Sequence, residues 1–590
     1  MGVFGLCISL LGGVAIVSSG NPGSAPRMGL VDDWTHHHVI FPDPGNATEA
    51  MARGRYQEWY RVASDPRFLM QQMKRNRPWL GRGRGFGAVT PAPHRDWAFS
   101  LGSGTVAENM FPAKFGFDIN ATPSCALDYV TYGLNVAGTT GGQANLVAVN
   151  NLYSGSSPTG VCGTTPTVYW AYNASFAGGK VTTSPALSMD GSKVIFTESG
   201  GATGPYLHVL AWKSGEGTVA SSKAPTHVLA AGQGVSNCTS GASCLVSILL
   251  NSTTQTITNS SPYYDYGSDT AYVGDDNGTL YEVTPLLGPG TPVVKKVSVA
   301  AGTVLTGPTY DNSSGNVFVG STNGVLSAVK ASTFSSVTAT NQIGDLTSNC
   351  SGGFNNKLVD APMVDSTNGW VYEYVTADAT PNTVVVQLST AGPFTTKNVV
   401  TLGNGDATCG SAGSFPTHMP AFDSNYISGT ITNGHIWVCG RQTGTLSEPV
   451  LWEIPTSGAK GSIAGVTAVQ NGAANQVNEI RHAQCSPFTA VTNGAKDYIF
   501  FGEGLNGDPT YGPFGSFYGF TISGATATAI SGSPITYPSA TGGTSAMVID
   551  NVSSDAQASS VYFTTQAPST TVCGVTSAYC AIKLTQATLQ

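Results

Sequence analysis

Three consecutive histidines, His36-His37-His38, follow Asp32-Asp33-Trp34 and form the one histidine cluster among nine His. Imidazole beside carboxylate is the donor set of a transition-metal site. On an extended backbone successive side chains alternate, so His36 and His38 could share one ligand sphere with Asp32 or Asp33 while His37 could not. A packing or surface role is the plainer expectation, and no metal site is assigned. The chain has no H-E-x-x-H and no G-x-S-x-G, the signatures of zinc and serine hydrolases. Gly502-Glu-Gly-Leu-Asn-Gly507 matches G-x-G-x-x-G after a strand-like run, Tyr498 to Phe501, but Asp508-Pro509 stands where a phosphate-binding helix should begin. It reads as a glycine-rich loop between strands. Asp275-Asp276-Asn277-Gly278 lacks the alternating acids and distal Glu of a calcium loop, and a hairpin turn accounts for it.

Two more sets recur with the strands. Asp190, Asp265, Asp311, Asp365, Asp423 and Asp550 each end a short apolar run. A carboxylate ring around a channel is one reading. A side chain that bonds the backbone of the following Gly-containing turn is the simpler one. In Tyr263-Tyr264-Asp265-Tyr266, alternation sends Tyr264 and Tyr266 to one face and Tyr263 to the other. Packing is expected there, and the functional reading is a stacking platform for a sugar or peptide.

The elements that must position these residues are mostly strands. Charged residues make up 10% of 590, against about a quarter in an ordinary domain, while 41% are apolar and 73 are Gly. That excludes disorder. The net charge of −8 excludes a nucleic-acid partner, which needs a basic field. Residues 28–96 hold ten Lys+Arg against seven Asp+Glu, a net of +3, and residues 97–590 hold 15 against 27, a net of −12. The first part carries helical spacing from Thr48 to Ala63, then Ser64-Asp65-Pro66 as the start of a second short helix. A Gly/Arg stretch around Arg82 and Arg84 reads as a linker ending near Trp97.

Residues 1–25 read as a secretory signal peptide: an apolar run from Val3 to Val17, then small residues, with no basic segment ahead of it. No later run is long and apolar enough for a membrane span. Of eleven Cys, Cys7 lies in that leader, leaving ten, an even number that suits an oxidising compartment. Position favours Cys125 with Cys162, Cys238 with Cys244, and Cys573 with Cys580. Cys350 with Cys409 and Cys439 with Cys485 are preferred among the three pairings that four cysteines allow. Ten N-x-S/T sequons are present, among them Asn120, Asn251 and Asn312.

From about Phe111 the chain repeats. Pro262 to Val283 and Pro308 to Val329, offset by 46 positions, each read as strand, turn, strand, Asn-Gly turn, strand. Asn277-Gly278 and Asn323-Gly324 suit a two-residue turn with positive φ at both positions. The same grammar returns at Pro185, Pro362, Pro420, Pro487 and Ser545, with an irregular first unit anchored at Leu127. Eight units at intervals of 46 to 77 residues predict an all-β propeller of eight blades across 98–590, with a short α-helical N-terminal segment over 26–97. Seven blades, or two β sandwiches, are the alternatives. Phe111 to Ile119, with Phe115, Phe117 and Ile119 alternating, is the expected closing strand beside Val561 to Thr564 and Ala581 to Leu584.

Gly315 to Thr333 and Asp269 to Thr284 resemble the repeat of the PQQ-like (quinoprotein alcohol dehydrogenase-like) propeller superfamily, in which a G-x-V-Y-V-G strand precedes a G-x-L-Y-A-V strand. As a whole the chain looks like secreted bacterial propellers of that kind. The resemblance implies the fold. Enzymes of that family commonly carry a Trp at the end of each docking repeat and, in many, adjacent cysteines near the quinone; Ala328 to Thr333 shows neither. The expectation is therefore a secreted or cell-surface binding or scaffold protein without cofactor, its partner an extracellular glycan or protein. The alternative is an extracellular enzyme on the same fold, either a quinoprotein-type oxidoreductase using PQQ with calcium or a polysaccharide lyase or hydrolase.

Overall fold

The computed structural model describes residues 30–75 and 94–585 apart from stretches of which the longest are 345–357, 405–416, 471–482, 506–514 and 551–559. Residues 1–25, the Arg82–Arg84 stretch, Cys350 and Cys409 lie outside the described residues. Among the described residues the strands form eight sheets of four to six strands, taken in chain order around a ring and antiparallel apart from one parallel pair in each of blades 2 and 5. The protein is an eight-bladed β-propeller. Short apolar runs broken by Gly, Asn and Asp build each meander, and a sheet apolar on both faces is covered only when neighbours stack radially.

The innermost strands are Ala113–Gly116, Ala186–Leu187, Tyr263–Asp265, Thr309–Asp311, Met363–Asp365, Ala421–Phe422, Thr489–Asn493 and Val548–Asp550. Pro stands just before the first residue of six of them. Phe488 and Met547 take that place in blades 7 and 8, so Pro487 lies one residue ahead of the equivalent position. Blade 1 begins at Pro112 rather than Leu127. The run expected to close the ring is thus the inner strand of blade 1, and Phe117 and Ile119 fall outside the described residues.

The closing strand comes from further upstream. β1 spans Leu30–Asp32, β2 Val39–Ile40 and β3 His94–Gly102. β3 pairs antiparallel with Tyr579–Thr585 of blade 8, Ala98 opposite Ile582. The compositional boundary near Trp97 therefore runs through a propeller strand.

The segment expected to be helical over 26–97 is so, among the described residues, only from Ala47 to Arg75, since Leu30–Ile40 forms two strands and a 3₁₀ turn and β3 starts at His94. α1 (Ala47–Ala52) and α2 (Tyr56–Ala63) are parted at Gly54, whose φ is +68°, and α3 (Pro66–Arg75) begins at the expected Pro. The hairpins also differ from expectation. Gly278 (φ +80°) and Gly324 (φ +83°) have positive φ, but Asn277 and Asn323 do not. Asp275 N–H bonds the Thr279 carbonyl and Gly278 N–H the Asp275 carbonyl, which makes a type I turn followed by a left-handed glycine.

Among the described residues four disulfides join Cys125 to Cys162, Cys238 to Cys244, Cys439 to Cys485 and Cys573 to Cys580. The third links blades 6 and 7. Among the described residues no helix is long and apolar enough to cross a membrane.

Candidate functional site

The channel is filled by the chain itself. Residues 30–41 run along the propeller axis and touch the inner strands of five blades. β1 adds antiparallel to Ala113–Gly116 of blade 1, with Asp32 opposite Lys114. Asp32 Oδ2 accepts from Ile549 N–H of blade 8 at 3.1 Å, and Asp33 Oδ2 from Leu187 N–H of blade 2 at 3.1 Å. Trp34 Nε1 donates to the Pro262 carbonyl of blade 3 at 3.1 Å. β2 then lies parallel to Met363–Asp365 of blade 5, whose Val364 N–H bonds the His38 carbonyl at 2.8 Å. Each inner edge otherwise presents unpaired backbone groups, and this segment satisfies several of them.

The histidine cluster sits on this axial segment, but not in extended form. Trp34–His37 is a 3₁₀ turn capped by Asp33, which accepts from Thr35 N–H at 3.0 Å and Thr35 Oγ1 at 2.6 Å. The turn sends the three rings to three places. His36 Nδ1 meets Asp33 at 3.2 Å; His37 Nε2 lies 3.4 Å from Asp32 while its ring stacks on Phe111 at 4.9 Å. His38 Nδ1 bonds the Trp34 carbonyl at 2.8 Å and Nε2 faces Asp360 at 3.4 Å. His36 and His38 thus share no ligand sphere, because a 3₁₀ turn replaces the period of two. Among the described residues no group of three or more His, Cys, Asp and Glu could hold a metal ion.

Asp360 belongs to a ring that sequence reasoning missed. The residue three positions before each inner strand is, in blade order, Met110, Thr183, Ser260, Thr306, Asp360, His418, Ser486 and Ser545. Five are hydroxyls. Ser260, Thr306, Ser486 and Ser545 accept from the N–H groups of Gly274, Gly320, Gly502 and Thr564 at 2.8 to 3.1 Å, tying each inner loop to its second strand. Blades 5 and 6 break the pattern with a carboxylate and an imidazole. Aligning the repeats on the inner strand exposes both.

Asp360 accepts from Ala361 N–H at 2.8 Å and Met419 N–H at 2.9 Å, and His418 Nδ1 lies 3.6 Å away. Burial raises its pKa, but the bonds and charges of His38 and His418 outweigh that and hold the carboxyl below the usual carboxylate range. Glu373, on the next strand of blade 5, is pushed the other way. Burial raises it well above a normal Glu and the Asp360 charge adds to that. Asp360 also borders a small cavity at the channel mouth, lined with Trp34, Phe111, Ser184, Asn259 and Ser261. Room for water-sized molecules inside it is only ≈ 20 Å³, about one water.

The other sequence candidates fall elsewhere. Asp190, Asp265, Asp311, Asp365 and Asp423 accept turn N–H groups of Ser192, Gly267, Ser313, Thr367 and Tyr426 at 2.8 to 3.3 Å. Asp550 pairs with Lys114 at 2.8 Å. These groups lie at the far ends of the inner strands, away from the mouth. Tyr264 is buried and Tyr266 half-buried, their rings 5.0 Å apart and edge to face. Tyr264 Oη donates to Asp269 and Tyr266 Oη to the Leu187 carbonyl, both at 2.8 Å. The helical segment covers them. The Arg67 guanidinium, fully buried, lies 4.9 Å over Tyr266 and 4.5 Å over Tyr263, bonded to Asp65 and to the Tyr264 carbonyl. Arg61 pairs with Asp265 and sits 5.6 Å over Tyr310. Gly502 and Gly504 are interior to the strand Lys496–Leu505, and Gly507 is outside the described residues.

Neither a protein-family model nor a curated protein matches the chain. Solved structures do. BamB from Moraxella catarrhalis is 11% identical over 83% of this chain and 99% of its own, with a TM-score of 0.40. Dihydro-heme d1 dehydrogenase NirN in complex with DHE is 10% identical over 76% of this chain and 77% of its own, with a TM-score of 0.35. The match to the Mitotic Checkpoint Complex is 9% identical over 71% of this chain and 93% of that one, with a TM-score of 0.32.

Proposed function

We propose that the protein is a secreted or cell-surface binding or scaffold protein of the PQQ-like propeller type that performs no catalysis of its own. One observation carries the reading: residues 30–41 fill the axis from blade 1 to blade 5, where an enzyme on this fold would converge its reacting groups. The space beside Trp34 and His38 takes about one water, which supports a reading without a quinone cofactor at that place. The four disulfides support an oxidising compartment and residues 1–25 a leader peptide. A glycan or protein partner then meets the rims and faces rather than the channel.

An enzymatic reading is favoured by one feature. Asp360 and Glu373 are driven apart in pKa beside two imidazoles, a division of labour that acid–base catalysis uses. Against it, Glu373 is buried and the cavity is small. The test is direct: purified protein is offered alcohols with PQQ, calcium and a dye acceptor, and separately a polysaccharide panel. No turnover is expected in either. Product formation abolished by Asp360→Asn would replace the scaffold reading with a hydrolase, lyase or oxidoreductase.

A further inference from the structure

A second cavity lies away from the axis. It is a cleft of ≈ 810 Å³ between the loop Pro42 to Asn46, α1, α2 and the first turn of blade 4, within the range of about 300–1,000 Å³ typical of small-molecule sites. Trp59 forms part of its wall. The indole is half-buried and held in place, Nε1 donating to the Gly45 carbonyl at 2.9 Å and its ring stacked on Tyr56 at 5.6 Å. Around it stand planar polar groups: Arg55, Gln57, Glu58, Asn46 and Asn312.

The charges of this cleft cancel. Arg53 pairs with Glu49 at 3.7 Å and Arg61 with Asp265, so two of its three guanidiniums are already neutralised. An anionic ligand gains little there. A fixed aromatic face beside amide, carboxylate and guanidinium groups is the chemistry that holds a neutral sugar, C–H groups on the ring and hydroxyls on the polar rim. A separate observation agrees. Asn46-Ala-Thr48 and Asn312-Ser-Ser314 are both sequons, and both asparagines line this one cleft although they are 266 positions apart. Asn46 is exposed, and its Oδ1 accepts from Glu49 N–H at 2.9 Å. That bond holds the amide in place and leaves Nδ2, the atom that glycosylation modifies, on its other side.

We infer that the cleft at Trp59 is a saccharide-binding site. The sugar comes from one of two sources, a soluble neutral oligosaccharide or an N-linked glycan carried by Asn46 or Asn312. The inference rests on the binding reading and names its ligand class, at a place separate from the channel.

The experiment has two arms. Protein made in a host without N-glycosylation is titrated calorimetrically with maltohexaose, cellohexaose and chitohexaose. A saturable heat with at least one is expected, weakened about tenfold by Trp59→Ala and largely retained by Trp59→Tyr, which keeps an aromatic face. Protein secreted from a glycosylating host is mapped by mass spectrometry at Asn46 and Asn312, and the Trp59 indole is followed by NMR through enzymatic deglycosylation. Occupancy at either asparagine with a shifted Trp59 signal assigns the glycan source; heat in the first arm assigns the soluble source. No heat with any of the three sugars, together with unoccupied asparagines or an unmoved Trp59 signal, overturns the site. That result leaves the scaffold reading standing, because its own test is turnover.

Discussion

Lys583 Nζ donates to Asp96 Oδ2 at 2.9 Å, and both side chains are buried, at the seam where β3 meets the strand Tyr579–Thr585 of blade 8. The same ammonium reaches the Ser154 carbonyl of blade 1 at 3.1 Å. The pair therefore clamps β3 to blade 8 and blade 8 to blade 1. Removing one partner leaves an uncompensated buried charge, so Asp96→Ala should lower stability by about 3–5 kcal/mol, whereas Asp96→Leu with Lys583→Met should recover most of that loss. Chemical denaturation midpoints of the three proteins decide it. Equal loss in single and double variants would mean that the ion pair is not what holds the seam.

The axial segment should be separable from the ring. Trp34→Ala removes a buried indole and should cost about 3–5 kcal/mol. Asp33→Ala strands the N–H groups of Thr35 and Leu187. In both, hydrogen exchange should quicken at Leu187, Ile549 and Val364, the amides facing residues 30–41, while the central strands of blades 3 and 4 stay protected. Uniform loss of protection would show instead that the ring cannot stand without its plug.

Glu503 gives the fold a pH dependence. Burial pushes its pKa up to about 8, with the Tyr518 hydroxyl donating to it at 3.0 Å as a weaker opposing effect. A folded value above the unfolded one means that stability is fully present below the unfolded pKa and lost as pH rises toward about 8. Glu503→Gln should therefore be more stable than the parent at pH 8, by up to roughly 4 kcal/mol, and similar to it near pH 4. Thermal melts across that range measure the difference, and parallel curves would refute it.

His435 works over a narrower window. Its hydrogen bond to Asp423, at 2.8 Å, raises its pKa above the usual 6.5 against the opposing effect of burial, and Glu453 at 3.7 Å adds to the rise. The stability it provides is complete below the unfolded pKa and fades as pH climbs through the raised folded value. His435→Gln should flatten that part of the melting profile above pH 6. A profile unchanged by the substitution would assign the slope to other groups.

Cys439 and Cys485 tie blade 6 to blade 7 across a separation of 46 residues. Replacing both with Ala should cost about 2–4 kcal/mol. Non-reducing peptide mapping should recover this bridge with the other three, and a different partner for Cys439 would redraw that blade junction.

Local grammar made the ring legible in the sequence. Pro before an inner strand, Asp after it and Gly in the turn recur at short range, and Asp311 and Asp365 do cap turns as their neighbours imply. Four disulfide pairs were readable for the same reason, since short separations and blade order limit the choices. What stayed hidden depends on distant contacts. Nothing near Leu30 or Val39 says that they add strands to blades 1 and 5, and β3 is recognisable only beside Tyr579–Thr585. The histidine geometry failed because one Asp33 cap turned an assumed strand into a 3₁₀ turn. Asp360 and His418 escaped notice because each looks ordinary alone and departs from pattern only against the hydroxyls of five other blades.

The axial segment and β3 also fix an order of events during synthesis. Residues 30–41 need inner strands from blades 1, 2, 3, 5 and 8, and β3 needs the final strand, which ends at Thr585. His94–Gly102 must wait for Tyr579–Thr585, synthesised more than 470 positions later. Contacts of such sequence separation make folding slow and leave apolar strands unpaired in the meantime. A chain cut short just before Tyr579 would keep the inner strands that hold residues 30–41 yet leave β3 without its partner, so quality control acting on unclosed rings would discard it whole.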